Sequence, residues 1–223
     1  MLRREALLMT TNERCDAAYK RVVRQHCYDA LVEAGFTRFR KDGVDWPLGN
    51  GFHCWVGLNT AIEPTYIEIN PFVGVHVIPI EKLTAIKSGK YPKIYNRGLA
   101  TFAVHMGELV PTERVFRFTR QTDIATEAAR LARLYVSVGG PYAESMTDYE
   151  RLLSLLQSRI PQLGGYPESV AACLYLMDRK TEARAFVEDF MTQQPDYFKV
   201  FALPFLKLLN KETGSGLSFG SLS

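Results

Sequence analysis

Residues 52–78 read FHCWVGLNTAIEPTYIEINPFVGVHVI, and their polarity alternates with a period of two. In FHCWVGL (52–58), Phe52, Cys54, Val56 and Leu58 alternate with His53 and Trp55. In TYIEIN (65–70), Ile67 and Ile69 alternate with Tyr66, Glu68 and Asn70, and in FVGVHVI (72–78) Val73, Val75 and Val77 alternate with Phe72 and His76. Successive side chains of a strand point to opposite faces, so this pattern predicts a sheet with one face in the core. The opposite face carries indole, phenol, phenyl and imidazole rings, a composition suited to contact with another molecule.

Working outward, residues 13–34 carry apolar side chains near helical spacing, and Gly35 is placed to stop that helix. FTRFRK (36–41) opens the sheet, with Asp42-Gly43 as a hairpin turn. Residues 46–51 (WPLGNG) read as a loop, 61–64 as a turn, and Asn70-Pro71 as a break or bulge between two strands. A short helix over 79–88 and a loop over 89–98 precede two further strands, 99–106 and 113–119.

Beyond Thr122 the pattern turns helical. Thr122-Asp123 can cap a helix that Gly139-Gly140-Pro141 should end, and Thr147 with Glu150 reads as a capping box for a helix to Ile160. Pro167 suits a first helical position, and helices over 181–193 and 196–210 follow, the last kinked at Pro204. Residues 171–191 resemble one helical hairpin of the tetratricopeptide type, with Ala171, Ala172, Ala183 and Ala185 as its small residues. A single such unit is read as a packing module over the sheet. Strands first and helices after predict an α+β fold: an antiparallel sheet of five or six strands with the N-terminal helix and C-terminal helical region packed against it. The expected organisation is an N-terminal extension (1–12), one α+β domain over 13–211 (sheet-rich 36–119, helical 122–210) and a disordered tail (212–223). Met9 is an alternative start.

The chain of 223 residues is 47% hydrophobic and 23% charged, as in a soluble globular protein. Its formal charge of +3 is too small to predict nucleic-acid binding. Four scattered cysteines without a C-x-x-C pair fit a reducing compartment. With neither a signal-peptide pattern nor an apolar run near the roughly 20 residues of a membrane span, the expected compartment is the cytoplasm.

Signatures of chemistry are sparse. His53, His76 and His105 fall on polar strand faces, but their separations match no metal-ligand motif. There is no G-x-S-x-G elbow and no phosphate-binding glycine loop, and nothing pairs Glu63, Glu68, Glu81 or Glu108 for acid–base work. Neither enzyme activity nor a cofactor is expected. Residues 87–97 interleave Lys87, Lys90, Lys93 and Arg97 with Tyr91 and Tyr95, and Arg38, Arg40, Arg114, Arg117 and Arg120 add charge on the outer strands. That mixture can hold single-stranded nucleic acid, yet the low net charge favours a solvated or partner-facing surface.

One further reading comes from likeness. L-x-x-x-G-F (Leu31, Gly35, Phe36), F-R-K-D-G (Phe39, Arg40, Gly43), a strand with central Trp55, and I-E-I-N-P-F-V-G-V (with Ile69, Asn70, Gly74 and Val75) follow in that order. Over residues 28–80 this resembles a bacterial group associated with immunity proteins of polymorphic toxin systems, including contact-dependent growth inhibition. The resemblance implies binding, not turnover: a cytoplasmic protein that neutralises a cognate toxin domain by direct contact. The residues expected to carry it are Trp55, Tyr66, Glu68 and His76 on the sheet, with Tyr91, Lys93, Tyr95 and Arg97 in the loop. The alternatives are a nucleic-acid-binding module or metal-dependent enzyme using the strand histidines and the basic loop, and a structural subunit that homodimerises through the sheet.

Overall fold

A computed structural model of the chain describes residues 14–88, 97–162 and 166–214. The expected N-terminal extension, Tyr91, Lys93 and Tyr95 of the basic loop, and residues 215–223 lie outside them. The fold is α+β, with six strands in one antiparallel sheet, an N-terminal helix and C-terminal helices. The chain divides into two compact units that interleave in sequence. The first comprises residues up to Val75 together with Ala103–Ser145, the second His76–Phe102 together with Met146–Ser223.

In the first unit, helix α1 (Ala17–Glu33) starts at Asp16, whose carboxylate accepts from the Tyr19 amide at 2.7 Å. It ends at Gly35, at φ +105°, while the Gly35 and Phe36 amides bond the Val32 and Leu31 carbonyls. Strands β1 (Thr37–Arg40), β2 (Gly43–Gly49), β3 (Phe52–Ile62) and β4 (Ile67–Val77) follow as a meander. Two short strands, β5 (Phe102–His105) and β6 (Phe116–Phe118), both pair with β4.

Residues 46–49 belong to β2, and only Gly49-Asn50-Gly51, all at positive φ, make the turn. β1 pairs with β2 only as far as Asp45, so Pro47 meets no strand on that side and its missing N–H is tolerated. Pro71 likewise does not break β4. It follows the last β4–β6 pair, Ile69 with Phe116, where the strand changes partner. The strand expected over 99–106 shrinks to β5, because His105 caps the short helix α3 (Met106–Leu109).

The inner face holds Phe52, Cys54, Val56, Leu58, Ile67, Ile69, Val73, Phe116 and Phe118, all buried. It is backed by α1 and by α4 (Ile124–Leu134), which pack on each other. Arg24 of α1 donates to the Leu58 carbonyl of β3 at 2.7 Å. Arg130 of α4 lies over Phe116, 4.1 Å from the ring centre, and bonds Glu113 and Glu127. Burial of this apolar face at roughly 25 cal/mol per Å² is the main stabilising term.

The helix expected to end at Gly139-Gly140-Pro141 continues instead. A π-helical turn over Tyr135–Gly139 leads into α5 (Gly140–Glu144), whose first turn accepts Pro141. The glycines serve close approach. A methyl group at 139 would sit 3.1 Å from Val73, and one at 140 would sit 3.2 Å from Trp46.

The second unit is helical: α2 (Ile78–Thr84), a 3₁₀ turn over Ala85–Ser88, α6 (Tyr149–Arg159), α7 (Pro167–Leu176), α8 (Lys180–Gln193) and α9 (Pro195–Gly214). Asp148, not the expected Thr147, caps α6 by accepting from the Glu150 amide at 3.0 Å. α7 and α8 form the expected hairpin, turning at Asp178, and bury Ala171, Ala172 and Ala183, whereas Ala185 is exposed. Adjacent helices in α6–α9 pack in sequence order, and a run of rings from Phe190 through Phe198 and Phe201 to Phe205 fills the α8–α9 core.

Candidate functional site: the outer face of the sheet

The face of the sheet opposite α1 and α4 is built from alternate residues of β2, β3, β4, β5 and β6 within the first unit. Register fixes its layout. Asp45 of β2 stands opposite Trp55 of β3, and Glu68 of β4 opposite Arg117 of β6. Along β4, Glu68, Asn70 and Phe72 follow at every second position and are all half-buried.

One half of the face is aromatic. The Trp55 indole lies over Gly57: a β-carbon built there would come within 2.3 Å of the indole ring and 3.2 Å of the Phe72 β-carbon. Phe72 in turn meets His105 edge-on, with ring centres 4.9 Å apart and planes at 90°. Trp55, Phe72 and His105 therefore form a continuous row across three strands, each partly open to solvent. His105 Nδ1 accepts from the Gly107 amide at 2.9 Å, and Glu108 accepts from the His105 amide at 3.1 Å. Desolvation by burial, helped by Arg114, holds the His105 imidazole below its ordinary pKa. Beside Trp55, Asp45 is buried, with its carboxylate 3.5 Å from His53 Nδ1.

The other half is charged. Arg117 donates to Glu68 at 3.1 Å, Asn70 donates to the same carboxylate at 3.3 Å, and the guanidinium lies 5.0 Å from the Tyr66 ring centre. These groups form a mixed-sign strip whose side chains hold one another in place.

Of the expected binding residues, Trp55, Tyr66 and Glu68 share this face. His76 does not present itself: it has no exposed surface, and Nδ1 lies 2.6 Å from the Leu99 carbonyl. The β-strand period put it on the outer side, but the end of β4 is covered on both faces, Gly74 and His76 being as buried as Val75 and Val77. Arg97 is half-buried and falls in the second unit. Asp45, His53, Phe72, His105 and Arg117 join the face without having been selected as binding residues. The alternation in 113–119 already marked Arg117, whereas Asp45 was hidden by reading 46–51 as a loop.

The three strand histidines are each engaged within the protein: His53 faces Asp45, His76 the Leu99 carbonyl, and His105 the Gly107 amide. Among the described residues no group of three or more His, Cys, Asp or Glu is placed to hold a metal ion. The thiols lie in the core, where burial pushes Cys27 and Cys54 up to about 12. No helix among the described residues is long and apolar enough to cross a membrane. No family model, curated protein or solved structure matches the chain.

Proposed function

We propose that this is a cytoplasmic binding protein whose outer sheet face occludes a surface of a cognate toxin domain, the immunity role that the sequence resemblance implies. The observation that carries the reading is the half-exposed row of Trp55, Phe72 and His105 beside the Glu68–Arg117 strip. Rigid aromatic anchors bordered by charges are the usual makeup of an interface hot spot and its rim. Backbone support adds to this, since Trp55, Phe72 and Arg117 stand on paired strands and lose little freedom on docking. Both charge signs occur on the strip, so the complementary toxin surface is expected to be of mixed charge.

The test is co-expression with the toxin domain encoded beside the gene, followed by affinity measurement. Trp55→Ala is expected to weaken the complex by about 2 kcal/mol or more, and Glu68→Arg to slow association. Equal killing by the toxin with and without this protein would overturn the reading.

A further inference from the structure

The C-terminal helix α9 is the last member of the α6–α9 stack, and its two sides differ. Phe198, Phe201, Ala202, Phe205 and Leu209 are buried against the rest of the second unit. Facing away, Val200 is 58% exposed and Leu203 50% exposed. They lie in the floor of a shallow depression that Asp196, Lys199 and Pro204 complete. A helical stack ordinarily ends in a polar outer face, and this one ends in two aliphatic side chains.

The spacing around them is informative. Asp196, Val200, Leu203 and Lys207 are separated by four, three and four residues, the a/d spacing of a coiled-coil seam. Asp196 and Lys207 are both exposed. In a parallel pair of such helices, equivalent positions meet, setting aspartate against aspartate and lysine against lysine. In an antiparallel pair the a and d positions alternate across the seam. Val200 then meets Leu203 of the other helix, and Asp196 meets its Lys207 at both ends. The stripe is thus complementary to itself under a two-fold rotation, which is what a closed dimer requires.

We infer that α9 is a docking surface for a second copy of this chain, paired antiparallel through Val200 and Leu203 and closed at each end by Asp196 with Lys207. The inference is independent of the proposed toxin contact, which uses the other unit. From Asp196 to Lys207 the seam spans about 17 Å at 1.5 Å per residue, so the interface is small and the association weak and reversible. Pro204, beside the seam, lacks the N–H that would bond the Val200 carbonyl.

Sedimentation of the full chain over a wide concentration range tests this. The wild type is expected to pass from monomer to dimer, and Val200→Glu to weaken the dimer at least tenfold. Asp196→Lys and Lys207→Asp should each weaken it, and the two together should restore it, because both end pairs are rebuilt with reversed polarity. All three positions are exposed, so far-UV circular dichroism should be unchanged; if Val200→Glu does not fold, the charge exchange alone decides. A wild type that stays monomeric, or a double variant no better than the singles, overturns the inference. So does a monomer that binds phosphatidylglycerol vesicles through Val200, which would assign the stripe to a lipid surface.

Discussion

At the scale of single residues, Tyr135 and His105 do the most with the fewest atoms. The Tyr135 ring is fully buried, and its hydroxyl reaches the Gly57 carbonyl at 3.1 Å and the Phe72 carbonyl at 2.9 Å. A phenol has one proton, so the two acceptors share it. Those carbonyls belong to β3 and β4, directly behind the aromatic row of the outer face. Tyr135→Phe removes the bond while keeping the ring, and should cost about 1–3 kcal/mol in urea unfolding. His105 makes a pH prediction. Only the neutral ring can accept from the Gly107 amide, and its folded-state pKa is depressed below the 6.5 of a free imidazole. Between the two values the unfolded chain binds more protons than the folded one, so stability rises with pH there. The His105 contribution is complete above about 6.5 and is lost as pH falls through the depressed value. Arg114 deepens this depression and Glu108 opposes it. Urea midpoints measured from pH 7.5 downward should fall less steeply in His105→Asn, which keeps an acceptor at the cap without a titrating ring.

Among the elements, the strands of the sheet were the most legible part of the sequence. The alternation in 52–58 and 67–73 reports a physical constraint, one face buried and one not, and every inward residue named from it is buried. Errors came where a local breaker was overruled by its surroundings. Pro47 and Pro71 are poor strand residues, but Pro47 lies beyond the β1–β2 pairing and Pro71 beyond the last β4–β6 pair. Gly139 and Gly140 suggest a helix end, yet their role is to let a helix approach the sheet. That distinction depends on what lies across the gap, here Val73, Met106 and Trp46, and no local pattern encodes it. Gly139→Val should therefore destabilise by about 1–3 kcal/mol through overpacking, seen as a lower denaturant midpoint. The candidate site was half legible for the same reason. Period-two spacing exposed Trp55, Tyr66 and Glu68, but it could not show that the far end of β4 is covered on both faces, which removes His76.

For the molecule as a whole, the two compact units exchange the chain at Val75, Phe102 and Ser145, so neither is one continuous stretch of sequence. Strand β4 begins in the first unit and ends in the second. All four cysteines, Cys15, Cys27, Cys54 and Cys173, are buried free thiols distributed over both units. Burial raises each of them, Cys27, Cys54 and Cys173 up to about 12, so almost none is thiolate at neutral pH. Native protein should react with dithionitrobenzoate only as slowly as the structure around each thiol opens in urea. Rapid modification of any one before unfolding would contradict the packing around it.

Those hidden sulfurs give the experimenter an unusually quiet background. A cysteine introduced at exposed Asn59 of β3 would be the sole fast target for a maleimide dye, with no native thiol to delete first. A fluorophore tethered there rides on the same strand as the Trp55 indole, and would report arrival of a macromolecule on that side as a change in brightness or anisotropy.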